Sequence, residues 1–334
     1  MVPLLGGTDK EASYTRSGLA LSTHVLVVEG GQHLGSVETS QVTDVVCFHG
    51  NGFNKESWTP LVRRLQSMCR GDATKFGGQP RQVVCVDFQG HGQSKRKGKD
   101  YLDGMRGVGN DVVEVLDHVL NGPNAPDRVV IVAHSMGGHG TLLALSTGPR
   151  ALVDRVLTAV VFEPVVVDPS PQLPPGELKA QTSTFSEGAR KRRANFRSVD
   201  EARSSYRGRG VFASFPDESL EAYLSGAFRP SESGGVELAC SPDTEAGNFR
   251  NRGDLIWPHL PDVLTPIVVV AGGKSKHIST ATLRRVAATL PRAKFAFVPE
   301  ALHCLHVELP DMSANLVWQH IRDTVDVGHL LPRL

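Results

Sequence analysis

Runs of adjacent apolar residues recur along the chain, and longer stretches with apolar positions at helical spacing lie between them. Val45-Val-Cys-Phe, Val83-Val-Cys-Val, Val129-Val-Ile-Val, Ala159-Val-Val-Phe and Ile267-Val-Val-Val are unbroken rather than alternating. A strand covered on one face alternates; an unbroken β-branched run is what a sheet buried on both faces requires. Phe295-Ala-Phe-Val predicts one more strand. The intervening pattern predicts helices over residues 56–68, 107–120, 137–146, 280–290 and 312–325. Such alternation gives an open, mostly parallel α/β sheet with helices on both faces. Residues 19–28, followed by Glu29-Gly-Gly-Gln, predict an antiparallel hairpin leading into that sheet.

The rhythm breaks once. No buried-strand run falls between residues 168 and 262. Pro169, Pro171, Pro174 and Pro175 open that stretch, and helix-like segments rich in Arg and Ser follow. A structureless loop of that length is rare in a compact domain. Residues 168–262 are therefore expected to form an inserted helical cap, over a core built from residues 1–167 and 263–334.

Composition then removes several classes of function. Of the 334 residues, 40% are hydrophobic and 21% charged, a globular balance. Lys and Arg total 36 against 35 Asp and Glu, so the chain lacks the basic excess of a nucleic-acid-coating protein. No apolar run reaches the roughly 18–20 residues of a membrane span. The N-terminus has no secretory pattern. Cys47, Cys69, Cys85, Cys240 and Cys304 are odd in number and form no C-x-x-C pair. That usage favours a reducing, intracellular compartment and argues against a disulfide scaffold or a zinc site.

The strongest chemical motif follows a strand directly: Val129-Val-Ile-Val-Ala-His-Ser-Met-Gly-Gly. Ser135 falls on a strand–turn–helix junction, with Ala133 and Gly137 near the G-x-S-x-G pattern of a nucleophile elbow. Small flanking residues are needed because the turn is strained and neighbouring backbone comes close. Taken alone, these residues also fit a Gly-rich helix start with a capping serine. Three other strings accompany the motif: His49-Gly-Asn-Gly-Phe, Val86-Asp-Phe-Gln-Gly-His-Gly-Gln-Ser and Ala301-Leu-His-Cys-Leu-His-Val-Glu-Leu-Pro.

With these strings the whole chain resembles the α/β-hydrolases. More narrowly, it is similar to the serine-nucleophile hydrolases related to fungal toxin- and polyketide-biosynthesis proteins and to peroxisomal acyl-CoA hydrolases. His49-Gly-Asn-Gly-Phe-Asn-Lys-Glu-Ser-Trp, Ala159-Val-Val-Phe-Glu-Pro, Ala189-Arg-Lys-Arg-Arg and Val236-Glu-Leu-Ala-Cys-Ser-Pro-Asp-Thr-Glu-Ala carry the narrower match. The resemblance implies an α/β-hydrolase fold with a cap. It implies Ser135 as nucleophile, with the backbone N–H groups of Asn51 and Met136 as the oxyanion hole. His303 precedes Glu308 by five residues and Pro310 by seven, as the family's catalytic histidine does; His306 fits neither spacing.

The family's usual acid position follows Ile267-Val-Val-Val, but Ala271-Gly-Gly-Lys-Ser-Lys-His-Ile-Ser carries no carboxylate. Glu163, at the ligand-binding end of an earlier strand, is the expected acid. Glu300, Asp168 and Asp262 are the remaining candidates. Asp87, His91 and Ser94 are read as loop-fixing residues. Phe53, His134 and His306 are candidate substrate contacts, His306 being alternatively a gate-facing or packing histidine, and cap aromatics such as Phe212 and Tyr223 are expected mainly in the cap's own core.

The implied activity is cleavage of an ester or thioester of an apolar acyl substrate through an acyl-enzyme, an acyl-CoA thioester being one candidate, with no metal or organic cofactor. A carboxylesterase or lipase on the same triad and a ligand-binding protein on the same scaffold are the alternatives. Asp at the elbow, usual for epoxide hydrolases and dehalogenases, is replaced here by Ser135. Arg190-Lys-Arg-Arg is either a phosphate contact or a solvated helix face. Pro332-Arg333-Leu334 resembles a peroxisomal address of the small–basic–Leu type, which would make a peroxisomal import receptor a partner; an accidental tail is the alternative.

Overall fold

Alternate residues of each unbroken run enter two different hydrophobic cores, one on each face of a single sheet. The computed structural model describes residues 10–15, 20–27, 43–71, 80–94, 104–122, 125–167, 177–250 and 256–330. Pro332-Arg333-Leu334 and Asp168 lie outside them. Along the chain come β1 (Lys10–Thr15), β2 (Ala20–Val27), β3 (Thr43–Phe48), α1 (Thr59–Gly71), β4 (Pro80–Val86), α2 (Met105–Asn121), β5 (Arg128–His134), α3 (Met136–Thr147), α4 (Arg150–Val153) and β6 (Val156–Phe162). Then follow α5 (Glu177–Arg190), β7 (Asn195–Phe196), α6 (Val199–Tyr206), α7 (Asp217–Ala227), β8 (Phe228–Pro230), β9 (Val236–Leu238) and α8 (Pro242–Arg250). The chain closes with β10 (Ile267–Gly272), α9 (Thr280–Thr289), β11 (Ala293–Val298), α10 (Leu305–Glu308) and α11 (Pro310–Leu330).

The main sheet runs β1-β2-β4-β3-β5-β6-β10-β11. All pairings from β4 to β11 are parallel, whereas β1–β2 and β2–β4 are antiparallel. Val46, Phe48, Val129 and Ile131 join Val112, Leu116, Leu142 and Val286 on one face. Val45, Cys47, Val130 and Val132 join Leu61, Leu65, Val317 and Ile321 on the other. Each such side chain, fully buried, contributes about 1.5–3 kcal/mol, so a polar residue in these runs would cost a core contact on whichever face it met. Strand β11 is the edge, and its Phe297 is exposed.

Glu29-Gly-Gly-Gln, where the hairpin turn is expected, lies outside the described residues. Residues 20–27 form β2, which pairs with β1, ahead of it in the chain. Between β6 and β10 the expected helices α5 to α8 are present, together with a three-stranded sheet, β7-β9-β8. Strands of two or three residues give no apolar run, which is why the sequence did not announce them.

A buried polar cluster fixes the loops that follow β3 and β4. Asp87 accepts hydrogen bonds from the Lys55 N–H (2.8 Å), Lys55 Nζ (2.9 Å) and the Gln93 N–H (3.0 Å). Lys55 Nζ also pairs with Glu56 at 2.9 Å. Burial opposes charge on Lys55, and the carboxylates of Asp87 and Glu56 more than offset it, so its pKa is raised. Ser94 Oγ donates to the Asp87 carbonyl (2.7 Å), and His91 Nε2 accepts the Gly52 N–H (3.1 Å). The Phe88 N–H donates to His49 Nε2 at 3.1 Å, so that nitrogen is bare and the ring is neutral. Burial holds the His49 pKa down at about 4.

Removing one partner of a buried pair strands the other. Lys55→Met is expected to destabilise the fold by about 3–5 kcal/mol, read as a lower denaturant midpoint at unchanged slope. A loss within about 0.5 kcal/mol, the range of ordinary surface substitutions, would show that the cluster carries no structural weight.

Candidate active site

Ser135 stands between β5 and α3 with φ 52°. Its N–H donates to the Phe162 carbonyl (2.9 Å), and its carbonyl accepts the Val165 N–H (3.0 Å). These bonds tie the strained residue to the end of β6. Gly137 explains the motif's last position. A Cβ there would lie 2.5 Å from the Phe48 carbonyl oxygen and 2.7 Å from that of His49. Ala133 is fully buried within β5, where its methyl is accommodated.

His303 follows β11 and sits 9% exposed beside Ser135. Its Nε2 is 3.1 Å from Ser135 Oγ, and its Nδ1 is 3.0 Å from Glu163 Oε2. Nδ1 facing a carboxylate carries the proton, which leaves Nε2 to accept from the hydroxyl. Glu308 accounts for the five-residue spacing: its oxygens accept the Leu302 N–H (2.9 Å) and the Cys304 N–H (3.1 Å), bracketing His303.

Glu163 is fully buried at the end of β6 with φ 47°. Ser135 and Glu163 are the two non-glycine residues with positive φ among the described residues. Such conformations cost of order 1–3 kcal/mol each and persist only where surroundings enforce them. Glu163 Oε1 accepts the Gly272 N–H (2.7 Å), and Oε2 accepts Ser275 Oγ–H (2.6 Å). Burial pushes the carboxyl up to about 7, against the lowering effect of these two hydrogen bonds. The other acids considered, Glu300 and Asp262, are exposed.

A cavity of 130 Å³ opens at Ser135, with Asn51, Phe53, His134, Met136 and His303 in its wall. Met136 is the first residue of α3, where a helix leaves its N–H without an intrahelical acceptor. The Asn51 side chain is held at both ends by α8: its Nδ2 donates to the Glu245 carbonyl (2.9 Å), and its Oδ1 accepts from Asn248 Nδ2 (3.0 Å). Among the proposed substrate contacts, Phe53 and His134 reach this cavity and His306 does not. His306 is fully buried among Trp58, His134 and Phe53, with ring centroids 4.3, 4.4 and 6.1 Å away. Burial pushes its pKa down to about 3, so it packs as a neutral ring.

Three of the four basic residues find local partners: Arg190 faces Asp243, Arg193 pairs with Glu201, and half-buried Arg192 pairs with Glu245 and donates to Tyr223 Oη (3.0 Å), while Lys191 is exposed. Phe212 and Tyr223 lie in a small separate core with Leu220 and Leu224.

Several site residues escaped the sequence reading. His277 stacks on His303 with ring centroids 4.2 Å apart and planes 15° apart. Its ring also stacks on Phe185, 4.9 Å away. Asn248 and Phe249 likewise belong to no motif, and Glu245, within the string 236–246, and Ser275, within the loop after β10, carried no assigned role. The one available signal was positional: Ser275 and His277 occupy the loop where a carboxylate was sought.

A model of the alpha/beta hydrolase family matches residues 45–316. The 2-(acetamidomethylene)succinate hydrolase of Mesorhizobium japonicum is 23% identical over 279 residues, spanning 82% of this chain and 86% of that protein. A crystal structure of E-2-(acetamidomethylene)succinate hydrolase superposes with a TM-score of 0.68 at 20% identity, covering 94% of this chain and 99% of that one. A peroxisomal alpha-beta-hydrolase from Saccharomyces cerevisiae gives 0.71 at 20% identity, covering 98% and 90%. A thioesterase domain from the curacin biosynthetic pathway gives 0.65 at 19% identity, covering 93% and 99%. At these identities the structural likeness shows the fold.

The raised Glu163 pKa has a thermodynamic consequence. The folded chain binds this proton more tightly than the unfolded chain, so the contribution is complete below about pH 4.5 and is lost as pH rises through about 7. Glu163→Gln carries no such charge. Its melting temperature relative to the unsubstituted chain is expected to rise from pH 5 to pH 8, by the equivalent of roughly 3 kcal/mol. A pH-independent difference would contradict the burial argument.

Proposed function

The chain belongs to the alpha/beta hydrolase family, and from that premise we propose that it is a serine hydrolase cleaving an ester or thioester of an apolar acyl group. The observation that carries this reading is the chain of contacts Ser135 Oγ–His303 Nε2–Glu163, at 3.1 and 3.0 Å, opening into one cavity. Residues 168–262 act as its cap. His303 Nε2 takes the Ser135 proton as Oγ attacks the acyl carbonyl. The Met136 and Asn51 N–H groups receive the developing oxyanion. His303 then returns the proton to the leaving atom, and the acyl-enzyme is released by water through the same base. Glu163 keeps the Nδ1–H tautomer and stabilises the imidazolium. No step calls for a metal or an organic cofactor. The thioesterase domain among the structural neighbours supports including thioesters. The unbroken contact chain from Ser135 through His303 to Glu163 weighs against a bare ligand-binding scaffold.

Covalent labelling tests the reading. A fluorophosphonate probe is expected to modify Ser135 and to leave Ser135→Ala unlabelled; a folded chain that never labels would sink it. Glu163→Gln presents the wrong hydrogen-bond partner to Nδ1, and kcat is expected to fall by about 10⁴.

His277 is assigned as a positioning residue, acting through the ring of His303. His277→Phe keeps a flat face in place and is expected to hold kcat within about threefold, whereas His277→Ala drops it about tenfold at little change in KM. Equal losses in both variants would mean that the imidazole itself, rather than the stack, is required.

A further inference from the structure

The catalytic cavity has a neighbour that shares its wall. A wider groove of 540 Å³ also borders His303, His277 and Val211, and it continues past Leu302 to Lys274 and Lys276. Val211 and Leu302 are exposed apolar side chains, so the floor is greasy where it leaves the catalytic centre. Both lysines are exposed, and neither pairs with a carboxylate among the described residues. Glu308 also borders the groove, but its two oxygens already hold the Leu302 and Cys304 N–H groups.

The loop that carries the lysines is firmly held. The Gly273 N–H donates to the Val298 carbonyl (2.8 Å) and the Lys274 N–H to the Ala301 carbonyl (2.9 Å). Ser275, between the lysines, turns its hydroxyl inward to Glu163, while its two neighbours line the groove. The backbone that carries both lysines is thereby fixed, and their exposed side chains line the groove beside His303, a groove that Ser135 does not border.

The chemistry assigns an end of the substrate to each space. A general acid must reach the leaving atom, so the leaving group lies on the His303 side of the scissile bond. The catalytic cavity, at 130 Å³, is the smaller of the two spaces and lies at Ser135, so the acyl group falls there. We propose that the groove binds the leaving group, and that Lys274 and Lys276 select one bearing an anion, a carboxylate or a phosphate. This rests on the serine hydrolase reading and adds the class of its leaving group. The lysines act by charge-assisted hydrogen bonding and not in the bond-breaking step. Salt therefore weakens the selection.

Matched thioesters with one short acyl group test it. The acetyl thioesters of 4-mercaptobutanoate and 4-mercaptobutanamide differ in a carboxylate; those of 4′-phosphopantetheine and pantetheine differ in a phosphate. At least one anionic member is expected to show kcat/KM about tenfold or more above its neutral partner, falling as salt is raised. In the double variant Lys274→Met, Lys276→Met that ratio should collapse to within about twofold of one. Which pair shows the preference separates carboxylate from phosphate. Parity in the unsubstituted chain, or a ratio unchanged in the variant, overturns the proposal. The free thiols, read by thermal shift, keep the two readings apart. Anion-specific, lysine-dependent stabilisation without turnover or fluorophosphonate labelling would remove the serine hydrolase and leave the groove. Labelling and turnover with no anion preference in either assay would do the reverse.

Discussion

The close approach of the α3 N-terminus to the end of β3 sets the geometry of the whole site. At Gly137 the carbonyl oxygens of Phe48 and His49 stand where a Cβ would need to be. The Gly137 N–H donates to the His49 carbonyl at 3.2 Å, so the contact is bonded as well as tight. A Cβ built on Gly50 would likewise fall 3.1 Å from Ser135 Cβ. The loop after β3 is thus pressed onto the nucleophile by backbone contacts that no side chain can replace. The Lys55–Asp87 cluster fixes the other end of that loop, and His91 holds Gly52 between them. Side chains from β3, β4 and β5 loops can then meet with little freedom left to lose, and such preorganisation is what an oxyanion site depends on.

A carboxylate from β6 can reach His303 because β6 and β10 are parallel neighbours in register. Phe162 pairs with Val270, and the Glu163 N–H still bonds to the Val270 carbonyl (2.9 Å). The next step on each strand therefore opens into the same space, Glu163 from one side and Gly272 to Ser275 from the other. A carboxylate on either loop could reach His303. Here β6 supplies the carboxylate and the β10 loop supplies its hydrogen-bond donors, the ring that stacks on the base, and two lysines. The positive φ of Glu163 is the conformational cost of turning a side chain inward immediately after a strand.

This division explains what could be read from the residues alone. The parallel strands were legible because burial on both faces demands unbroken apolar runs. Ser135 and His303 were legible because a tight turn and a bracketed histidine demand small or acidic residues at fixed spacings. The β1–β2 pairing was not legible because residues 10–15, Lys-Glu-Ala-Ser-Tyr-Thr, carry no apolar signal. For His306 the sequence left substrate contact and packing both open; its place against Trp58 and His134 favours the packing reading, a neutral core ring. The contacts of His277, Asn248 and Glu245 were not legible, even for Glu245 within the quoted string 236–246, because they join elements far apart in the chain.

Those contacts also make the oxyanion loop dependent on the segment between β6 and β10. The Asn51 amide has a donor end and an acceptor end, and α8 satisfies both. Gly52, next along, has φ 78°, and a Cβ there would lie 2.8 Å from Glu245 Oε1. Glu245 is itself held by half-buried Arg192. The backbone at residues 51 and 52 is therefore shaped from two directions, by His91 from the sheet side and by α8 from above. With α8 withdrawn, the half-buried Asn51 amide would lose two hydrogen bonds, each worth about 0.5–1.5 kcal/mol net, and the loop would lose one of the two supports that orient the Asn51 N–H. The hydrogen bonds of Ser135, His303 and Glu163 run to β5, β6 and the β10 loop and do not involve α8. Docking of α8 is thus coupled directly to the electrophilic half of the proposed site, and it reaches the other half only through the Phe249, Phe185 and His277 rings stacked behind His303. A substrate that strengthens contacts to Asn248 or Phe249 in the cavity wall would complete the oxyanion hole by the same interaction that binds it.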